Sequence, residues 1–205
     1  LLSGALMVDA AHRRRPRGRP RDRGTQAAVL TATRRLLLDG GYHQLTFEAV
    51  ATAAGTSRST LYRWWPTRGA LVLEAAADHL DIGVVPDTGD SRDDLRVAIH
   101  ELIDTFSDRL AGIVILAAIA NLDDDPTMAR TFRERWVYPW RTTAADALRR
   151  AIERGDLPAG TDVQFTLNVI VGTVFQCTIT PAVPMTDGLE EALLGLILPS
   201  DRTSE

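Results

Sequence analysis

Residues 45–76, LTFEAVATAAGTSRSTLYRWWPTRGALVLEAA, restrict what this 205-residue chain can fold into more than any other stretch. Thr46 stands at an N-cap position, where a side-chain oxygen accepts a backbone N–H of the first helical turn. Phe47, Val50, Ala51 and Ala54 follow at i, i+3, i+4 and i+7, one apolar stripe of a short helix. Gly55 breaks that helix, Ser57 caps the next, and Pro66-Thr67 separates it from a third that runs through Leu71 and Ala75. Upstream, Val29, Thr33, Leu36 and Leu37 share one helical face that Gly40-Gly41 brings to an end. The pattern is two short helices around a tight glycine turn, with a helix on either side.

As a helix, residues 57–65 rise about 13 Å, enough to reach across several base edges in a major groove. At about 100° per residue, Arg58, Ser59, Tyr62 and Arg63 fall on one side, and Ser57, Leu61 and Trp65 on the other, against the preceding helix. Arg58 and Ser59 occupy the first turn, where recognition helices meet bases. An arginine there can fork onto guanine O6 and N7, a contact worth ~1–3 kcal/mol of discrimination. Tyr62 and Trp64 carry an O–H and an indole N–H suited to phosphate. Arg68 adds charge to a helix N-terminus that already favours anions. The alternative is a three-helix packing unit with a charged surface.

The charge distribution favours the first reading. All 23 basic residues are arginine. Residues 1–80 hold 12 of them against 6 acids, a balance of +6, whereas residues 81–205 hold 11 against 21, a balance of −10. A polyanionic partner for the front half alone follows from that split. Seven arginines crowd into residues 13–23, an arm expected to be disordered. Within it, Pro16-Arg17-Gly18-Arg19-Pro20-Arg21 resembles the core of an AT-hook, with Arg17 and Arg19 in a narrow A/T minor groove and Gly18 clearing its floor. The alternative is a non-specific polybasic tail that contributes counterion release.

The acidic rear reads as helices after a boundary loop at 81–91. Leu95, Ala98, Ile99, Leu102, Ile103, Phe106 and Leu110 form one amphipathic helix, and 112–122 a short apolar one. Asp125-Pro126 opens a long helix to about Arg154, kinked at Pro139. The last two helices run from Asp162 to about Thr178 and from Leu189 to Leu198. Phe132, Trp136 and Trp140 recur every four residues and, with Phe106, Ile115, Ile119 and Phe175, can line an apolar cavity for a hydrophobic or aromatic molecule; the alternative is plain core. His100 and Cys177 are candidates to lend that cavity polarity. The segment FTLNVIVGTVF is apolar nearly all round, and Leu189, Ala192, Leu193, Leu196 and Ile197 form a further stripe. Val169, Gly172, Leu189, Leu193 and Leu196 are therefore candidates for a twofold four-helix interface between two copies; the alternative is burial inside a monomer.

Other classes are disfavoured. Four histidines, the single Cys177 and no glycine-rich phosphate loop give no nucleophile–base pair, so an enzyme is not expected. A turn plus a helix cap accounts for Asp123-Asp124-Asp125 without a metal, and no cofactor is implied. One cysteine permits no intrachain disulfide, and the longest apolar run, 112–120, is too short to cross a bilayer. A soluble cytoplasmic protein is expected; the first residues lack signal-peptide features, and Met7 is a candidate initiator.

The order Gly41-Tyr42, Leu45-Thr46, Val50-Ala51, Ala54-Gly55, Ser57, Thr60-Leu61-Tyr62-Arg63, Trp65-Pro66 and Leu71 resembles the DNA-binding domain of TetR/AcrR-family bacterial transcriptional regulators. More loosely, residues 112–156 resemble the C-terminal domain of one subgroup. Thr56, Trp64 and Arg68 depart from residues common in the family at those places. The resemblance implies an all-α homodimer, usually a repressor released from a palindromic operator in double-stranded DNA by a small-molecule effector. It also implies Thr46, Tyr62, Trp64 and Arg68 on phosphates, with Arg58, Ser59 and Thr60 near bases. The expectation is about nine helices. An Arg-rich arm covers 1–23, a helix-turn-helix DNA-binding domain 24–80, a larger ligand-binding and dimerisation domain 81–200, and a tail 201–205. A nucleoid-type architectural binder resting on the arm is the alternative.

Overall fold

The computed structural model describes residues 23–81, 83–121, 124–180 and 188–198; the arm with Arg17 and Arg19, and the tail 201–205, lie outside the described residues. Every regular element there is helical: α1 (Arg23–Gln44), α2 (Phe47–Ala53), α3 (Arg58–Trp64), α4 (Arg68–Ala75), α5 (Ala77–Leu80), α6 (Ser91–Ser107), α7 (Arg109–Ala120), α8 (Pro126–Phe132), α9 (Tyr138–Glu153), α10 (Val163–Ile179) and α11 (Leu189–Ile197). A π-helical turn (Arg133–Val137) joins α8 to α9. Two splits raise the number from the expected nine to eleven: one at Ala76, between α4 and α5, and one at the π turn. No helix among the described residues is long and apolar enough to cross a membrane.

Local chemistry sets most boundaries. The Thr46 Oγ1 accepts the Ala49 N–H at 3.1 Å, the Ser57 Oγ accepts that of Thr60 at 3.2 Å, and the Thr67 Oγ1 accepts that of Ala70 at 3.1 Å. Each such cap contributes about 1 kcal/mol to a helix too short to persist alone. Gly55 turns the chain between α2 and α3 at φ +63°, a conformation costly for any residue with a Cβ. Asp108 corrects the sequence reading of one helix through Leu110. Its extended backbone ends α6, and its carboxylate accepts the Ala111 N–H at 2.8 Å to start α7. Pro139 has no N–H for the carbonyl four residues back. The chain winds into the π turn instead, where the Tyr138 N–H reaches the Arg133 carbonyl.

Burial gathers the helices around two cores. The first contains Val29 and Leu37 of α1, Val50, Leu61, Trp65, Leu71 and Val72, and also Val114, Ile115 and Ala118 of α7 and Met128 of α8. It therefore crosses the boundary near residue 80 that the sequence suggests. The second contains Leu95 and Ile99 of α6, Trp140 and Leu148 of α9, Leu167 of α10 and Leu194 of α11. Phe106 packs against both. Where α4 crosses α8, a Cβ on Gly69 would lie 2.6 Å from the Met128 Cβ, so only glycine allows that approach.

A buried polar knot ties α6 to α9. Asp94 is fully buried and accepts the Thr88 N–H at 2.9 Å and its hydroxyl at 2.7 Å. Arg154 Nη1 lies 3.3 Å and Arg150 Nη2 3.6 Å from the Asp94 Oδ2. Burial alone would raise the pKa of this carboxyl; the Thr88 donors and the two guanidinium groups outweigh it, and the pKa is lowered. Asp94→Asn should cost about 2 kcal/mol in urea unfolding at pH 7. Because the folded-state pKa is depressed, that difference should hold above the ordinary value of 3.8 and vanish as the pH falls through the lower folded one.

Candidate nucleic-acid interface and apolar cavity

The outer side of α3 forms a polar, aromatic and cationic surface. Arg58, Ser59, Tyr62 and Arg63 are exposed, Thr60 is half-buried, and Leu61 and Trp65 are sealed in the first core. Ser57, grouped by helical spacing with that inner pair, is exposed as the cap, its hydroxyl 2.9 Å from that of Ser59 and 3.0 Å from that of Thr60. Thr46 is exposed at the start of α2. Tyr62 stands half-exposed with its ring edge-on to Phe47 at 4.5 Å, which fixes the phenol at the rim of the face.

Glu48 is a member of this surface that sequence reading missed. Its carboxylate lies 3.7 Å from the Arg58 guanidinium, both side chains more than half exposed. A hydrogen bond with Tyr62, then Glu48, raises the Arg58 pKa further above its usual value. An exposed pair of this kind is weak and readily exchanged for another acceptor. Its only sequence signal was an acid in the first turn of α2.

Trp64 and Arg68 are more embedded than the first-turn residues. Trp64 is half-buried, edge-on to Trp65 at 5.5 Å, with Arg63 over its ring at 5.9 Å. Arg68 lies 4.1 Å over the Tyr42 ring and donates from Nη1 to the Leu45 carbonyl at 3.1 Å. It braces α1 against the turn before α2 as well as carrying charge. Behind the face, the Trp65 Nε1–H donates to one Glu74 oxygen at 2.7 Å and the Gln26 amide to the other at 2.6 Å. Glu74 thereby ties α3 and α1 to α4.

In the rear half, one cavity of about 450 Å³ is walled by all seven residues read from the sequence: Phe106, Ile115, Ile119, Phe132, Trp136, Trp140 and Phe175. The Phe106 and Phe175 rings meet edge-to-face at 6.4 Å in its wall. Arg133 and Arg141 also line it, and the sequence reading passed over both. His100 and Cys177 do not; His100 sits on the surface with its Nδ1 2.9 Å from a Glu190 oxygen. Trp136, on the π turn, is shared: it also walls a cleft of about 120 Å³ against Ala70, Leu73 and Glu74 of α4. Among the described residues no group of histidines, cysteines and acids could hold a metal, and Asp125 is a helix cap.

The candidate interface residues divide. Leu196 is two-thirds exposed, Gly172 is exposed, and Val169 and Leu189 are half-buried, whereas Leu193 is buried in the second core. Leu193 is thus corrected to a core residue, because α6 covers that side of α11. Phe165, absent from the expected set, is two-thirds exposed on α10.

Comparison with known proteins gives a consistent answer. The chain matches the family described as bacterial regulatory proteins, tetR family, over residues 29–75, and that described as tetracyclin repressor-like, C-terminal domain, over residues 85–197. It is 34% identical over 163 residues to the uncharacterized HTH-type transcriptional regulator YdeS of Bacillus subtilis, covering 78% of this chain and 80% of that protein. The crystal structure of the TetR family transcription regulator SCO0332 aligns with a TM-score of 0.59 at 35% identity, covering 83% of this chain and 94% of that one. FadR from Bacillus subtilis, solved in complex with stearoyl-CoA, shares the fold at 16% identity with a TM-score of 0.62, covering 86% of this chain and 99% of that one.

Glu74→Ala should leave the buried Trp65 indole and the Gln26 amide without their carboxylate acceptor. The expected loss is about 2 kcal/mol in urea unfolding, part of which Glu74→Gln should restore.

Proposed function

The chain belongs to the TetR family of bacterial DNA-binding transcriptional regulators, and we propose that it is a repressor released from a palindromic operator by a hydrophobic or aromatic effector. Two copies place their α3 helices in successive major grooves, about one turn apart or somewhat more. Arg58, Ser59 and Thr60 meet base edges, while Thr46, Tyr62, Arg63, Trp64 and Arg68 hold phosphates. Arg17 and Arg19 reach the adjoining minor groove. Exposed Phe165, Gly172 and Leu196, together with half-buried Val169 and Leu189, support pairing of two copies through α10 and α11.

The observation that carries the release mechanism is the shared position of Trp136, one side on the cavity and the other on α4. An effector that drives this ring into the cleft closes it and presses on the Ala70–Leu73–Glu74 side of α4. Through Glu74 the motion reaches Trp65 at the end of the reading helix. Differential fit of the effector to the two positions of α4 supplies the coupling free energy.

Sequencing the genomic fragments retained by the purified protein gives the operator, against which variants are measured by fluorescence anisotropy. Arg58→Ala should lose ~1–3 kcal/mol of preference at one base position. Arg68→Ala should weaken operator and random DNA alike and flatten the salt slope. Equal loss from both variants on both kinds of DNA would refute this division of roles.

A further inference from the structure

We propose that the cavity takes an apolar ligand bearing one carboxylate or similar anionic head, gripped by Arg141 with Arg133 beside it; this rests on the reading of the cavity as the effector site. The residues lining it include these two arginines and no acid, although the half of the chain that builds it carries a balance of −10. The local charge is therefore opposite to that of its surroundings.

The state of the arginines sharpens the point. Further along α9, Arg149 pairs with Asp146, and Arg150 and Arg154 pair with Asp87 and Asp94. Arg141, on the same helix, meets no carboxylate among the described residues. Its Nη2 donates to the Gln164 Oε1 at 3.0 Å and the Asn168 Oδ1 at 3.1 Å, both neutral amide oxygens of α10. Those bonds use Nη2 and orient the guanidinium without neutralising it, and its Nε and Nη1, on separate edges, are left to donate singly to an anionic oxygen. Arg133, at the first position of the π turn, likewise has no carboxylate partner among the described residues. Two unneutralised cations beside an aromatic-walled cavity disfavour a cationic ligand that rings alone would accept. They favour a hydrophobic anion.

The test titrates the full chain with decanoate, decan-1-ol and decylamine, probes that share one alkyl chain, following tryptophan fluorescence at fixed salt and pH 7.5. Decanoate should bind at least about tenfold tighter than decanol, as a charge-assisted pair requires, and decylamine most weakly. Arg141→Gln should abolish the advantage of the acid, bringing decanoate down to the affinity of decanol, with far-UV circular dichroism reporting an intact fold. Arg133→Gln should reduce the advantage less. Equal binding of acid and alcohol, or an advantage that survives in both variants, overturns the anionic head while leaving the cavity as an effector site. Binding of none of the three overturns both.

Discussion

The crossing of α4 over α8 at Gly69 is the constraint on which the remaining architecture depends. The short approach seats Met128 in the same core as Leu61, Trp65 and Leu71, so the reading helix is held by a wall that the rear half supplies. α4 has no separate face for each half. Its buried residues close the front core, its Ala70–Leu73–Glu74 side looks onto Trp136, and three residues separate its first turn from the end of α3. α4 is thus a strut between the two halves, packed directly on α8 at Gly69 and sharing a small cleft with Trp136.

Arginine serves three different ends in this molecule, and burial decides which. Around Asp94, partners inside the protein satisfy the charge, and removing the carboxylate leaves polar groups stranded. On α3, Arg58 meets Glu48 and Tyr62 at the exposed surface, so exchanging those contacts for a base or phosphate costs little. At the cavity, Arg141 is oriented by amides and not neutralised. The net charge of −4 conceals all three arrangements.

What was legible in the sequence was what is local. The caps Thr46, Ser57 and Asp125 act three residues along the chain, and Gly55 acts on its own backbone, so spacing alone locates them. The aromatic wall was legible because Phe132, Trp136 and Trp140 keep one direction through a turn that winds more slowly than an α-helix. The Gln26–Glu74–Trp65 tie and the Asp94 knot were not, since they join residues as far apart as 48 and 60 positions. The break at Asp108 was hidden by an apolar period that runs straight through it. Leu193 was misplaced because a stripe shows that a face is covered and not whether the same chain covers it.

Amide hydrogen exchange on the full chain addresses the shared core most directly. The slowest amides of α1, α4 and α7 should open with one common free energy, and Met128→Ala should lower all three by the same amount, about 2–5 kcal/mol. Should α1 and α4 open at markedly lower free energy than α7, or should Met128→Ala affect only α7 and α8, the front helices would form a unit of their own. The strut described for α4 would then not exist.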